Sequence, residues 1–123
     1  MIEAELRREY VACCTAEIKD VRLFIRNIAT IEIENRVIKA GVKGQADAWG
    51  WLFRTPYPVP LEIELKNVKT PQNPYQEAWA AYCQAKNVPY ILLRARKGET
   101  PPEIIARWVR ETNEWLEGLR RLG

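Results

Sequence analysis

Leu61-Glu62-Ile63-Glu64-Leu65-Lys66 alternates apolar and charged residues without a break. Side chains of a β-strand alternate faces, so Leu61, Ile63 and Leu65 point one way and Glu62, Glu64 and Lys66 the other. One face is aliphatic and suits a core. The other is charged, with neighbours on that face about 6–7 Å apart. Upstream, Gly44-Gln45-Ala46-Asp47-Ala48-Trp49-Gly50-Trp51-Leu52-Phe53 reads as a second strand that begins beside an acid. Two strands presenting Asp47, Glu64 and Lys66 to one place make a cation site with a lysine next to it. Mg²⁺ takes one or two carboxylates plus waters and substrate phosphate. Water on such an ion is a usable nucleophile, and a lysine orients it or stabilises charge on the attacked phosphate. The same alternation also reads as the solvated face of an antiparallel sheet, and this strand alone does not separate the two readings.

Composition narrows the chemistry. A chain of 123 residues with 47% hydrophobic content, five Trp and five Tyr suggests one domain with a real core. No apolar run approaches the roughly 18–20 residues of a membrane span. The N-terminus reads as a charged helix rather than a signal peptide, so the expected location is cytoplasmic. The chain has no histidine, and Cys13, Cys14 and Cys83 lack metal-ligand spacing. Common Cys/His zinc sites and His-dependent nucleophilic catalysis are therefore excluded. Any enzymatic chemistry rests on carboxylates, lysine, tyrosine and metal. Residues 36–97 hold ten basic and four acidic side chains, against five and seven in residues 1–35. A basic field around Asp47, Glu64 and Lys66 fits a polyanionic substrate.

Residues 2–20 show helical periodicity, with Ile2, Leu6, Tyr10, Cys13, Cys14 and Ile18 on one stripe that also takes in Glu3 and Glu17. Residues 21–39 suggest two or three strands, with a turn at Asn35-Arg36. Thr55 to Pro60, with three prolines, predicts a hairpin connector outside any central strand. A helix starts near Pro74 and runs to about Lys86, packing through Ala78, Trp79, Tyr82 and Cys83. Tyr90 to Ala95 reads as a buried strand. Thr100-Pro101-Pro102-Glu103 has capping-box spacing and opens a final helix over 101–122. That helix packs on the core or forms a dimer contact. The order predicts an α/β (α+β) sandwich with a mixed sheet.

Gly44-Gln45-Ala46-Asp47, then Glu64-Leu65-Lys66, then Gln76 on a helix resembles the PD-(D/E)xK nuclease superfamily, closest to stand-alone, phage-type VRR-NUC domains. Ala46 stands where that family usually has proline, a departure that removes no ligand. The likeness covers roughly residues 1–95. It implies a restriction-endonuclease-like core of order αβββαβα, a central mixed sheet flanked by helices, and a single domain over 1–123. It further implies Mg²⁺, with Mn²⁺ substituting, bound by Asp47, Glu64 and the Leu65 carbonyl. Lys66 would activate water, and Gln76 would touch the scissile phosphate or that water. Glu3, followed by Leu6, matches the family's first-helix glutamate, with Glu9 and Glu17 as the other candidates. Arg36, Lys39 and Lys43 fall in the family's variable loop beside the substrate, and Lys69 adds a point charge for phosphate. The expected activity is structure-selective DNA endonuclease, on branched or flapped DNA in repair, recombination or phage DNA processing, sometimes as a homodimer in the host cytoplasm. The rival expectations are a non-catalytic nucleic-acid-binding module and an oligomerising interaction protein.

Overall fold

The computed structural model describes residues 3–26, 30–33, 36–39 and 44–122, with side chains described for 3–26 and 44–122. In chain order the elements are α1 (Glu3–Glu17), β1 (Val21–Ile25), β2 (Thr30–Ile33), β3 (Arg36–Lys39), β4 (Ala48–Leu52), β5 (Val59–Lys66), α2 (Pro74–Ala85), β6 (Tyr90–Arg94) and α3 (Pro101–Arg121). The main sheet has the order β1-β4-β5-β6. Its first three strands are antiparallel, and β6 runs parallel to β5. A parallel neighbour needs a crossover, and α2 supplies it. β2 and β3 form a separate two-stranded sheet. The elements around the main sheet follow αβββαβα, with the β2–β3 hairpin as an addition. Arg36, expected in a turn, instead opens β3.

The aliphatic face of β5 is the floor of the core. Leu61, Ile63 and Leu65 join Val21, Leu23, Ala48, Leu52 and Leu93, beneath Leu6, Tyr10, Cys14 and Ile18 from the α1 segment and Ile104, Ile105, Trp108, Val109 and Leu116 of α3. Tyr10 and Thr112, both fully buried, share a 2.7 Å hydrogen bond between α1 and α3. The α1 stripe is narrower than its periodicity suggests: Cys13 is half-buried, and Glu3 and Glu17 are exposed. Leu122 is 81% exposed and lies beyond α3. α2 lies on the opposite, charged face. It turns Gln76, Trp79 and Cys83 inward, while Ala78 and Tyr82, expected in its packing face, are exposed.

Pro60 corrects the connector reading, because it lies within β5, opposite Trp51. Glu62 donates its N–H to Pro89 on the β6 side, so Pro60, of the same parity, also faces that side. The β6 ladder begins only at Glu62 and Tyr90, so no partner waits for a Pro60 N–H. Proline is tolerated where the ladder has no use for its missing donor.

Arg107 is a buried charge that helical periodicity alone had not singled out. It donates to both Glu99 oxygens at 2.7 Å, to Glu111 at 3.0 Å and to the Arg94 carbonyl at 2.6 Å. The end of β6 is thereby tied to α3. Arg107 holds the Glu99 carboxyl at about 2, below its usual 4.5. A depressed carboxyl stabilises the fold fully above its unfolded value, and that contribution disappears as pH falls toward 2. Thermal midpoints measured from pH 5 down to 2 should therefore drop, and Glu99→Gln should flatten part of that slope while lowering stability at neutral pH.

Candidate functional site

Register brings the two acids together. Ala48 pairs with Ile63, so one step further Asp47 stands across from Glu64. The β4 ladder ends there, and the Asp47 side chain takes over from a backbone partner. Its Oδ2 accepts the Leu65 N–H at 2.9 Å. A strand residue turns its N–H and C=O to the same side, so the Leu65 carbonyl also faces the Asp47 edge. Gly44 sets the approach to this turn. It has φ +86°, and a Cβ there would collide with the Tyr75 carbonyl in the first turn of α2. Only glycine allows both the conformation and the contact.

The charged face of β5 is not solvated. Glu62, Glu64 and Lys66 are 6%, 1% and 6% exposed. Glu62, which a solvated strand face would leave in water, is held by Arg26 at 2.6 and 3.0 Å and by the Trp79 indole N–H at 2.9 Å. Lys66 donates to Gln76 Oε1 at 2.7 Å and lies 4.0 Å from Glu64. Gln76 Nε2 reaches Glu64 Oε1 at 3.4 Å. Gln76 also closes a capping box with Asn73, so α2 nucleation locks its rotamer. Asp47, Glu64, Lys66 and Gln76 thus form one contact group.

Glu64 is the strained member. Its Oε2 is buried and meets no hydrogen-bond donor. Burial first, then the hydrogen bond and charge of Asp47, push its carboxyl from the usual 4.5 up to about 9. The Asp47 contact is a hydrogen bond only when one of the two acids carries a proton. A divalent cation would relieve the same crowding without a proton. The donor set fits a hard ion: two carboxylates, one of them with an orphaned oxygen, and a carbonyl facing the same edge. No group of three or more His, Cys, Asp or Glu gathers among the described residues.

Glu3 reaches this group through Arg7, which sequence reasoning missed. Arg7 Nη2 lies 2.8 Å from Glu3 Oε1 and 3.1 Å from Asp47 Oδ1. The i, i+4 spacing of Glu3 and Arg7 was the available signal. Arg26 carried one too, since it extends the β1 alternation of Arg22 and Phe24. Glu9 and Glu17 are exposed on α1. Lys69 is exposed in the loop after β5. Arg36 and Lys39 lie in β3, but their side chains fall outside the described residues, as does all of Lys43. No known family model, characterised protein or solved structure matches this chain.

The raised Glu64 carboxyl has a thermodynamic consequence. The unfolded chain releases this proton near its ordinary value, whereas the folded chain keeps it to about 9. The native state then binds more protons, so metal-free stability falls as pH rises from about 4.5 to 9. Unfolding in EDTA should show that decline. Glu64→Gln should match wild type near pH 4.5 and be the more stable protein at pH 8. An unchanged slope in the variant would assign the proton elsewhere.

Proposed function

We propose that this chain is a divalent-metal-dependent nuclease of the PD-(D/E)xK superfamily, nearest its VRR-NUC branch, with a restriction-endonuclease-like core and DNA as substrate. The observation that carries the reading is the buried Glu64, with its orphaned oxygen, set against the half-buried Asp47 and two residues from Lys66 on one strand face. A solvated strand face would not bury these charges. Glu62 on the same face shows the contrast, since both its oxygens are partnered.

Asp47, Glu64 and the Leu65 carbonyl are the groups that would hold Mg²⁺ or Mn²⁺. Such an ion, when bound, supplies Lewis-acid charge at the phosphate and makes bound water a nucleophile near neutral pH. Lys66 contributes a positive charge beside the reacting phosphate and a donor that orients the attacking water. Gln76 fixes the ammonium through its Oε1 and turns its amide N–H groups toward Glu64. Arg7 and the Leu65 N–H orient the Asp47 carboxylate. Glu3 holds Arg7 and so acts on the centre at one remove. Lys69, exposed in the loop after β5, would contact backbone phosphate. The enzyme works in the cytoplasm on branched or flapped DNA.

The test is cleavage of duplex, single strand, flap and four-way junction, with Mg²⁺, Mn²⁺ or EDTA. Lys66→Ala should lower turnover by roughly 10²–10³-fold, the usual loss of a charge-stabilising donor, and keep Mn²⁺ affinity. Asp47→Ala should lose both turnover and Mn²⁺ binding. Wild-type metal affinity in Asp47→Ala would sink the ligand assignment. DNA binding without cutting on any substrate would leave a binding module.

A further inference from the structure

The face of the sheet that carries Asp47 and Glu64 continues beyond them. Asp47, Trp49 and Trp51 alternate along β4 and so project from one face. On β1, Phe24 pairs with Trp49 and Arg22 with Trp51, while Arg26 donates its N–H to the Asp47 carbonyl. Two parallel rows result, Asp47-Trp49-Trp51 and Arg26-Phe24-Arg22, with Phe53 just past the end of β4. From Asp47 to Phe53 is about 20 Å of extended chain.

These rings belong neither to the core nor to the partly buried layer packed on it. Phe24 stacks on Trp49 at 4.9 Å, Trp49 meets Trp51 edge-on at 5.3 Å, and Trp51 lies 6.2 Å from Phe53. Phe53 is 51% exposed, and Phe24, Trp49 and Trp51 keep part of their surface open. Guanidinium groups sit among them: Arg22 lies 5.4 Å above the Phe24 ring and Arg26 lies 6.0 Å from Trp49. Glu62, which pairs with Trp49 across the sheet, is taken by Arg26 and Trp79.

The geometry points to a binding track for an unpaired nucleic-acid strand, leading away from the Asp47–Glu64 centre along β1 and β4. Aromatic steps beside the exposed Arg22 suit a single strand, because every base has a π-face and the guanidinium takes a phosphate, whereas Arg26 is engaged by Glu62. A duplex keeps its bases stacked inside and has nothing to offer the rings. Tryptophan, phenylalanine and arginine also suit a contact with a second copy, so the oligomeric state is one arm of the test. The track rests on the nuclease reading for its purpose, since it would deliver a tailed or flapped substrate to the metal centre. Its binding chemistry stands without cleavage.

The experiment is fluorescence anisotropy in EDTA with two DNAs, a blunt duplex and the same duplex bearing a single-stranded tail. Wild type should prefer the tailed DNA. Trp51→Ala should weaken the tailed complex about tenfold, the loss of one stacked base, and leave the blunt duplex unchanged. Arg22→Glu, at an exposed position that does not threaten folding, should also act on the tailed DNA selectively. Equal weakening of both DNAs, or no change in either variant, would overturn the track. So would a dimer in sedimentation that dissociates in Trp51→Ala, because the face would then belong to a second copy. Cleavage that depends on Lys66 but ignores both track variants removes the track and keeps the nuclease. Tail-selective binding without cleavage does the reverse.

Discussion

A carboxylate at 1% exposure cannot stay ionised without compensation, and the structure is arranged around how that demand is met on β5. Three charges of one strand face are buried together. Glu62 is answered by a bidentate arginine and an indole N–H. Lys66 is answered by a glutamine whose own rotamer is locked by a helix cap. Glu64 receives one long amide contact and a lysine at 4.0 Å, and one of its oxygens receives nothing. In the absence of a cation, its remaining recourse is a proton shared with Asp47. Evolution readily removes such a group by substitution, since a well-packed apolar residue is often at least as stable. A buried acid left short of partners beside a second acid is the feature on which the nuclease proposal rests.

The rest of the fold holds that deficit in place. Antiparallel register sets Asp47 opposite Glu64, and the end of β4 frees the Leu65 edge for a side chain instead of a strand. Gly44 lets the Asp47 turn press against the first turn of α2, which carries Gln76. α1 adds Arg7 from the far side of the sheet's open edge. Four separate elements converge on a group of about four side chains, none of which is positioned by a long flexible reach. The core beneath, on the opposite face of the same strands, makes this rigid.

Much of the scaffold was legible because it depends on local periodicity. Period-two alternation in Leu61 to Lys66 assigned both faces of β5 correctly, and the α3 cap was readable from Thr100 to Glu103 and the α2 start from Pro74, although the Asn73–Gln76 cap was not. Burial of the charged face was not legible. Whether alternating acids meet water or a helix depends on where a crossover lands, which is a tertiary fact. For the same reason the pairing of Glu62 was not legible: its partners Arg26 and Trp79 lie on β1's extension and on α2, far away in sequence. Pro60 was misread because its tolerance depends on where β6 begins. Asp47, Glu64, Lys66 and Gln76 were legible as candidates, and the structure places them in contact. Arg7, which orients Asp47, was not.

The same alternation links the centre to the aromatic rows. Because strand side chains repeat every second residue, the register that places Asp47 against Glu64 also commits Trp49 and Trp51 to that face. A one-residue slip would send Asp47 into the core and bring Ala48 to the site, while moving both tryptophans into the aliphatic layer. The composition of β4 follows from this. Its inward residues, Ala48, Gly50 and Leu52, are small or aliphatic, and Gly50 is pressed against the Arg22 backbone, where a side chain would not fit. Its outward residues are large aromatics that no helix of the core layer covers. Stability alone asks nothing of that outer row beyond β-propensity and solubility, and two half-exposed tryptophans serve solubility poorly. The acids and the rings are therefore best understood as two parts of one surface, fixed together by a single pairing of β4 with its neighbours.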